Sequence, residues 1–284
     1  MSNAVLITGA GRGIGRATSL RLAKSGNTVY AGVRKAEDGA ALVEELGSDP
    51  HGEIIPVTLD VTDPAAVAAL EEVLPDMLEG VVNNAGIAID GPVETLTPER
   101  LREQYDVNVF GAVAVTRAVL PRIRQGRGRI IFVSSVSGRI STPWTGAYNS
   151  SKFALEGIAD ALRIELRPWK IPVVLVEPAN TKTDMWDTAQ DVFDVTVKEL
   201  TESERELYKG HLKGVRRTLG VMQKTASPTD GVAAVIEKAL DANRPRARYV
   251  VGLPAKLQVA SSALTPRPVL DFVLAKAMGI PRKA

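Results

Sequence analysis

The chain contains no cysteine, which excludes disulfides and thiolate metal sites. It has two histidines, His51 and His211, too few to build the metal site of a zinc-dependent alcohol dehydrogenase. No metal is expected. A Ser-His-Asp hydrolase would depend on one of these two histidines, and both stand in polar or charged surroundings that fit a structural role. No apolar run reaches the ~18 residues of a membrane-spanning helix. The start, MSNAVLITGAG, lacks the basic segment of a secretory signal, so a cytoplasmic location is expected. The formal net charge is only +2 and gives no general signature of nucleic-acid binding. The basic stretch from Arg122 to Arg129 reads as solvated helix ends. Internal repeats and low-complexity linkers are also missing, so the 284 residues, 45% of them hydrophobic, are read as one α/β domain, 1–284, with a sizeable core.

What the chain does have begins at Ala4–Thr8, a continuous apolar run of the kind found in a strand buried on both faces. It feeds TGAGRGIG and then a helical pattern from Ile14 to Lys24. Strand, glycine-rich turn and helix together make a phosphate-binding element. Glycines let backbone approach a ligand, and the helix start offers free N–H groups. A P-loop is excluded because no Gly-Lys-Ser/Thr follows, and G-x-G-x-x-G does not fit in frame. What fits is Thr-Gly-x-x-x-Gly-x-Gly, with Thr8, Gly9, Gly13 and Gly15. The second strand, Thr28 to Val33, ends in Arg34 and Lys35, where a carboxylate for the ribose hydroxyl would be expected of an NAD site. Arginine pairs instead with a 2′-phosphate, and Arg12 could reach the same group. Arg34 and Lys35 also fit as solvated residues opening the next helix.

Further on, Ser135 is followed thirteen positions later by Tyr148, and four positions beyond that by Lys152. Tyr148 and Lys152 fall on one helix face. An ammonium there is expected to lower the tyrosine pKa, tuning the phenol for proton transfer. With the glycine loop, with NNAG at 83–86 and with Asn108 in DVNVFG, this pattern resembles the short-chain dehydrogenase/reductase family. The 17β-hydroxysteroid and retinol dehydrogenase-like members are the nearer likeness. The motifs agree in order from about residue 5 to residue 183, and the likeness is only general beyond.

The resemblance implies a doubly wound, Rossmann-type α/β fold: a largely parallel seven-stranded sheet with helices on both faces. It implies Asn108, Ser135, Tyr148 and Lys152 as catalytic residues. Ser135 would hold the substrate oxygen, and Tyr148 would give or take its proton. Lys152 would lower the tyrosine pKa and grip the ribose hydroxyls, and Asn108 would support a water-linked proton path. It implies a cofactor site of Gly9, Arg12, Gly13, Ile14, Gly15, Arg34, Asp60, Val61, Asn84, Tyr148, Lys152, Pro178 and Thr183. Asp60 would meet the adenine amino group and Val61 its ring, while Thr183 would bind the nicotinamide carboxamide. Basic residues at 12 and 34 imply NADP(H) rather than NAD. Ala179 departs from the family's glycine, which either narrows the backbone's approach to the nicotinamide or demands a negative φ.

The expected reaction is hydride transfer between NADP(H) and a small-molecule secondary alcohol or ketone, lipophilic in character. An isomerase, dehydratase or epimerase using bound cofactor, or a non-catalytic NADP-binding regulator, are the rival readings. Residues 184–226 carry Met185, Trp186, Phe193, Leu200, Leu207, Tyr208, Leu212 and Met222. They are expected to form a substrate lid, or else an amphipathic pair packed on the body or on another subunit. The apolar extension 254–284 would cover the substrate mouth, form an interface or rest on a membrane surface. Long helices expected at 99–125 and 148–166 suit a homodimer or homotetramer.

Overall fold

The computed structural model describes residues 3–47, 51–183 and 188–281. Seven strands form one sheet: β1 (Ala4–Thr8), β2 (Thr28–Val33), β3 (Glu53–Thr58), β4 (Gly80–Asn83), β5 (Arg129–Val133), β6 (Val173–Glu177) and β7 (Arg248–Val250). Their order is β3-β2-β1-β4-β5-β6-β7, and every pairing is parallel. The order reverses between β1 and β4, which opens a crevice at the carboxyl ends of those strands.

Alternation along the strands supplies two cores. Leu6, Val81, Ile130, Phe132 and Leu175 point to one face. There they meet α6 (Ala112–Gly126) through Val115, Val119 and Ile123, and α7 (Gly146–Glu165) through Leu155 and Ala159. Val5, Ile7, Val29, Ile131 and Val174 point to the other. They meet α1 (Gly13–Lys24) through Leu22, α2 (Ala36–Leu46) through Leu42, and α11 (Thr229–Asp241) through Val232 and Ile236. Period-two side chains buried on both faces are what a parallel sheet between helical layers requires. Asp63 accepts from the Ala65 N–H and so caps α3 (Pro64–Ala68), followed by the single turn α4 (Leu70–Val73).

The helix expected over 99–125 is instead three pieces: α5 (Pro98–Tyr105), a π-helical turn at Asp106–Gly111, and α6. The wider turn sits at Gly111, where a Cβ would come within 2.6 Å of the Val61 side chain. The helix therefore lies against the loop after β3 only because glycine stands there. The π turn also carries Asn108, the kind of functional position where such turns recur.

The region after β6 builds a separate small core. Helices α8 (Ala189–Glu199) and α10 (Lys209–Lys224), joined through α9 (Glu202–Leu207), bring Phe193, Val215 and Leu219 onto Trp144 and Met278. A capping box at Thr201 and Glu204 starts α9. Met185 and Trp186 lie outside the described residues. The extension forms α12 (Leu253–Leu264) and α13 (Arg267–Ala277), and its end returns to α10, where Thr218 Oγ1 donates to the Ala277 carbonyl at 3.3 Å. Among the described residues no helix is long and apolar enough to cross a membrane.

An ionic cluster lies beneath the carboxyl ends of β5 and β6. Arg248 bonds Glu156 at 3.1 Å and Asp160 at 2.6 Å, while Arg139 reaches Glu177 at 3.3 Å. Glu177 has no exposed side-chain surface. Burial, with the charge of Glu156 added, pushes its carboxyl up to about 7 despite both arginines. A carboxyl raised in the folded state contributes stability below its unfolded value, near ~4.3, and loses it as pH rises through about 7. Glu177→Gln is therefore expected to melt above the wild type at pH 8, by a margin that shrinks toward pH 5. The ceiling is on the order of 3 kcal/mol, and thermal melts at the two pH values measure it.

Candidate active site

The crevice at the reversal point is a cleft of about 810 Å³. Its first wall is the loop after β1. Gly9 and Gly13 hold φ of 65° and 56°, a left-handed region that costs glycine little. Arg12, extended and exposed, precedes the first turn of α1, which carries no acidic residue. The turn thus presents N–H groups and the positive dipole end with no anion of its own beside them. Gly15 does not face the cleft. A Cβ there would collide with the Gly9 carbonyl oxygen, so this glycine sets the packing of helix under loop rather than touching a ligand.

Thr8 and Asn84 fix that loop against the end of β4. The Thr8 Oγ1 accepts from the backbone N–H of Asn84 and of Ala85, both at 3.0 Å. The Asn84 Nδ2 donates to the carbonyls of Thr8 at 2.9 Å and Gly9 at 3.1 Å. One amide and one hydroxyl thereby tie two strand ends together where the ladder opens.

At one end of the cleft stand Arg12, Arg34 and Lys35, with Asp60 and Val61 close by. Asp60 accepts from the Thr62 hydroxyl and N–H at 2.7 and 2.9 Å. Those bonds, helped by the Arg34 charge, hold its carboxyl below the usual range. At the other end are Ser135, Tyr148, Lys152, Pro178 and Thr183. Thr183 lies beneath Gly13, where a Cβ would come within 3.1 Å of its methyl. Ala179 lines the cleft and is absent from the residues with positive φ, so the substitution for glycine is met by an ordinary backbone.

Tyr148 and Lys152 sit one turn apart on α7, as their spacing requires. The Lys152 Nζ lies 5.6 Å from the Tyr148 ring centre and donates to the Val133 carbonyl at 2.8 Å. The Ser135 Oγ accepts from the Ser137 N–H at 3.1 Å and donates to the Pro178 carbonyl at 3.4 Å.

The expectation that Lys152 lowers the phenol's pKa is corrected. Burial raises it, the Ser135 hydroxyl opposes this, and the charge of Asp90 adds to the rise. Lys152 itself is pushed down to about 8 by burial, partly countered by Glu156.

Asn108 also differs from its expected place. It does not line the cleft but clamps it. Its Oδ1 accepts from the Ile87 N–H at 2.9 Å, and its Nδ2 donates to the Ile87 carbonyl and the Ser151 hydroxyl, each at 3.0 Å. Gln104 does the same one turn earlier, bonding the Ile87 carbonyl at 2.8 Å and the Ile89 N–H at 2.7 Å. Sequence reasoning missed Gln104, although its four-residue spacing from Asn108 was a usable signal. It also missed Asp38, whose carboxylate lies about 3.1 Å from where a Gly11 Cβ would stand, and Thr181. It passed over Asp90, which belongs to no motif.

The family model for short chain dehydrogenases matches residues 3–192. The chain is 34% identical over 287 residues to the NADPH-dependent 3-dehydrocapnine reductase of Ornithobacterium rhinotracheale, covering 95% of each. It is 33% identical over 288 residues to estradiol 17-beta-dehydrogenase 2 of Mus musculus, covering 96% of this chain and 74% of that one. A short-chain dehydrogenase structure from Streptomyces avermitilis superposes with a TM-score of 0.75 at 25% identity, covering 99% of this chain and 98% of that one.

Asn108→Ala strands the half-buried Ile87 N–H and frees the loop over the cleft. It is expected to cost roughly 1–3 kcal/mol, read as a lowered urea midpoint with an unchanged slope.

Proposed function

The chain belongs to the short-chain dehydrogenase family, and from that premise we propose that it reduces a lipophilic ketone to a secondary alcohol with NADPH, reversibly. The observation that carries this is the convergence of a hydroxyl, a phenol and an ammonium, Ser135, Tyr148 and Lys152, on one wall of a glycine-lined cleft.

The cleft fits a dinucleotide. Its glycine loop leaves room for backbone approach, and its far end is basic. Arg12, Arg34 and Lys35 would hold a 2′-phosphate, Asp60 and Val61 the adenine, and Pro178 and Thr183 the nicotinamide end. Such a cofactor, when bound, supplies the hydride. The rest falls to the protein. Ser135 donates a hydrogen bond to the carbonyl oxygen and fixes its direction. Tyr148, whose raised pKa keeps its proton at neutral pH, passes that proton to the developing alkoxide. Lys152, cationic below about 8, stabilises the phenolate left behind and would hold the ribose hydroxyls. Asn108 positions the loop that faces them.

The NADPH reading is supported by the printed name of the Ornithobacterium relative as well as by the three cations. Asp38 favours a second reading, NAD, because its carboxylate near Gly11 would repel a 2′-phosphate. A lipophilic substrate is supported by the steroid named for the mouse relative. It is also supported by the apolar cluster of Trp144 and Phe193, which we read, for the described residues from 188 on, as part of the lid expected after β6. Exposed Leu253, Leu257 and Leu264 on α12 suit contact with a membrane surface. Exposed Phe110 and Phe153 suit a homo-oligomer interface.

Two outcomes are expected. Tyr148→Phe should lower kcat for ketone reduction by about 10²–10⁴-fold while NADPH still binds, as followed by absorbance and by fluorescence titration. Retained turnover in the variant would overturn the assignment, whereas a wild type that binds NADPH but shows no net turnover with any ketone would favour an isomerase or a regulator. Arg34→Ala should raise the KM for NADPH at least about tenfold, a lost charge-assisted contact, with the KM for NADH nearly unmoved.

A further inference from the structure

Glu156 is a buried carboxylate with no role in the reading above. It lies on α7 four residues beyond Lys152, which puts the two side chains one turn apart on the same helix face. The two residues are only 6% and 5% exposed. The short turn Val136–Gly138 packs over both. A Cβ on Gly138 would come within 3.0 Å of the Glu156 Cγ, 3.1 Å of the Lys152 carbonyl oxygen and 3.0 Å of the Ser134 hydroxyl. One small residue thus brings the Glu156 side chain, the Lys152 backbone and Ser134 together. Ser134 in turn follows Val133, whose carbonyl takes the hydrogen bond of the ammonium.

The ion pairs around Glu156 do not explain why it is there. Arg248 of β7 meets it at 3.1 Å, but the same guanidinium bonds Asp160, one turn further along α7, at 2.6 Å. It also reaches Glu177 of β6 at 3.3 Å, and Arg139, just after the short turn, holds Glu177 from the other side. The Asp160 side chain is 39% exposed and that of Glu156 only 8%. Asp160 therefore ties α7 to β7 while staying in water, whereas a buried carboxylate is costly. Lys152 carries the matching cost. Its ammonium is buried, bonds one carbonyl, and has Tyr148 as its neighbour on α7, the ring centre 5.6 Å away. Each charge alone is unfavourable, and on one helix face the two offset each other.

Resting on the hydride-transfer reading, we propose that Glu156 is a positioning residue for the reaction: acting through Lys152, it keeps the buried amine a cation while the phenolate of Tyr148 forms. Glu156 is not part of the cleft wall and touches neither substrate nor cofactor. Its charge reaches the ammonium through protein, where screening is weaker than in water. Burial drives a lysine neutral, and Glu156 opposes this. Burial also favours the protonated form of Glu156 itself, which Ser134 and Arg248 oppose. Support therefore runs from Arg248 to Glu156, from Glu156 to Lys152 and from Lys152 to Tyr148.

Competitive labelling of Lys152 with acetic anhydride across a pH series, read by mass spectrometry, measures its charge without turnover. The wild-type midpoint is expected at about 8. In Glu156→Gln it should fall by at least about one pH unit, the loss of a nearby opposite charge, with circular dichroism kept as evidence of folding. Glu156→Met, apolar and of similar length, should show the same fall and stands in should the glutamine variant not fold. Glu156→Asp, which keeps the charge, should recover most of the wild-type midpoint. Asp160→Asn removes the other partner of Arg248 on α7 and should leave the midpoint in place. The pH at which kcat for ketone reduction declines should move with the labelling midpoint. An unmoved midpoint without the Glu156 carboxylate, or the same fall in Asp160→Asn, overturns the proposal. A lowered midpoint with no oxidation of NADPH by any ketone would leave the hold of Glu156 on Lys152 standing and count against the hydride-transfer reading.

Discussion

A buried ammonium organises this molecule. Lys152 is only 5% exposed, and its single hydrogen bond among the described residues runs to the Val133 carbonyl at 2.8 Å. Taking a lysine out of water favours its neutral form, so the fold must supply something to keep it charged. It does so from below. Glu156 lies one turn further along α7 and draws the ammonium's pKa back up. Glu156 is in turn held by Arg248 and shares its surroundings with Glu177. The result is an amine poised near 8, neither fixed as a cation nor lost to burial. The bond to Val133 also pins α7 to the end of β5, and with it the position of Tyr148.

The rest of the cleft is arranged by charge and by small residues. Its basic rim and the acid-free start of α1 attract an anion at one end. At the other end a neutral phenol and a hydroxyl wait beside the poised amine. The two ends stay in register through short clamps: Thr8 and Asn84 across β1 and β4, and Asn108 and Gln104 across the loop that follows. Each clamp satisfies backbone groups that an opened ladder would leave unpaired. The same groups that shape the site therefore hold the carboxyl ends of the central strands together.

Much of this was legible in the chain. Apolar runs such as AVLIT and VVLV announce strands buried on both faces, and the glycine spacing at 9, 13 and 15 announces the turn between β1 and α1. Tyr148 and Lys152 met because four residues make about one helical turn. Three things were not legible. Asn108 and Gln104 act by reaching a distant backbone segment, and no local pattern encodes a partner some twenty positions away. The π turn depends on Gly111 meeting Val61 across the fold. The sign of the phenol's pKa shift was wrong because it was argued from one neighbour. Burial and then the charge of Asp90, both tertiary effects, raise it against the Ser135 hydrogen bond.

The central claim is that the ammonium of Lys152 must be present while Tyr148 gives up its proton. The pH dependence of kcat for NADPH-driven ketone reduction, compared between the wild type and Lys152→Met, measures it most directly. The account predicts a wild-type rate that falls as pH rises through about 8, and a slow residual rate in Lys152→Met that shows no such fall. A decline at the same pH in both proteins would contradict it.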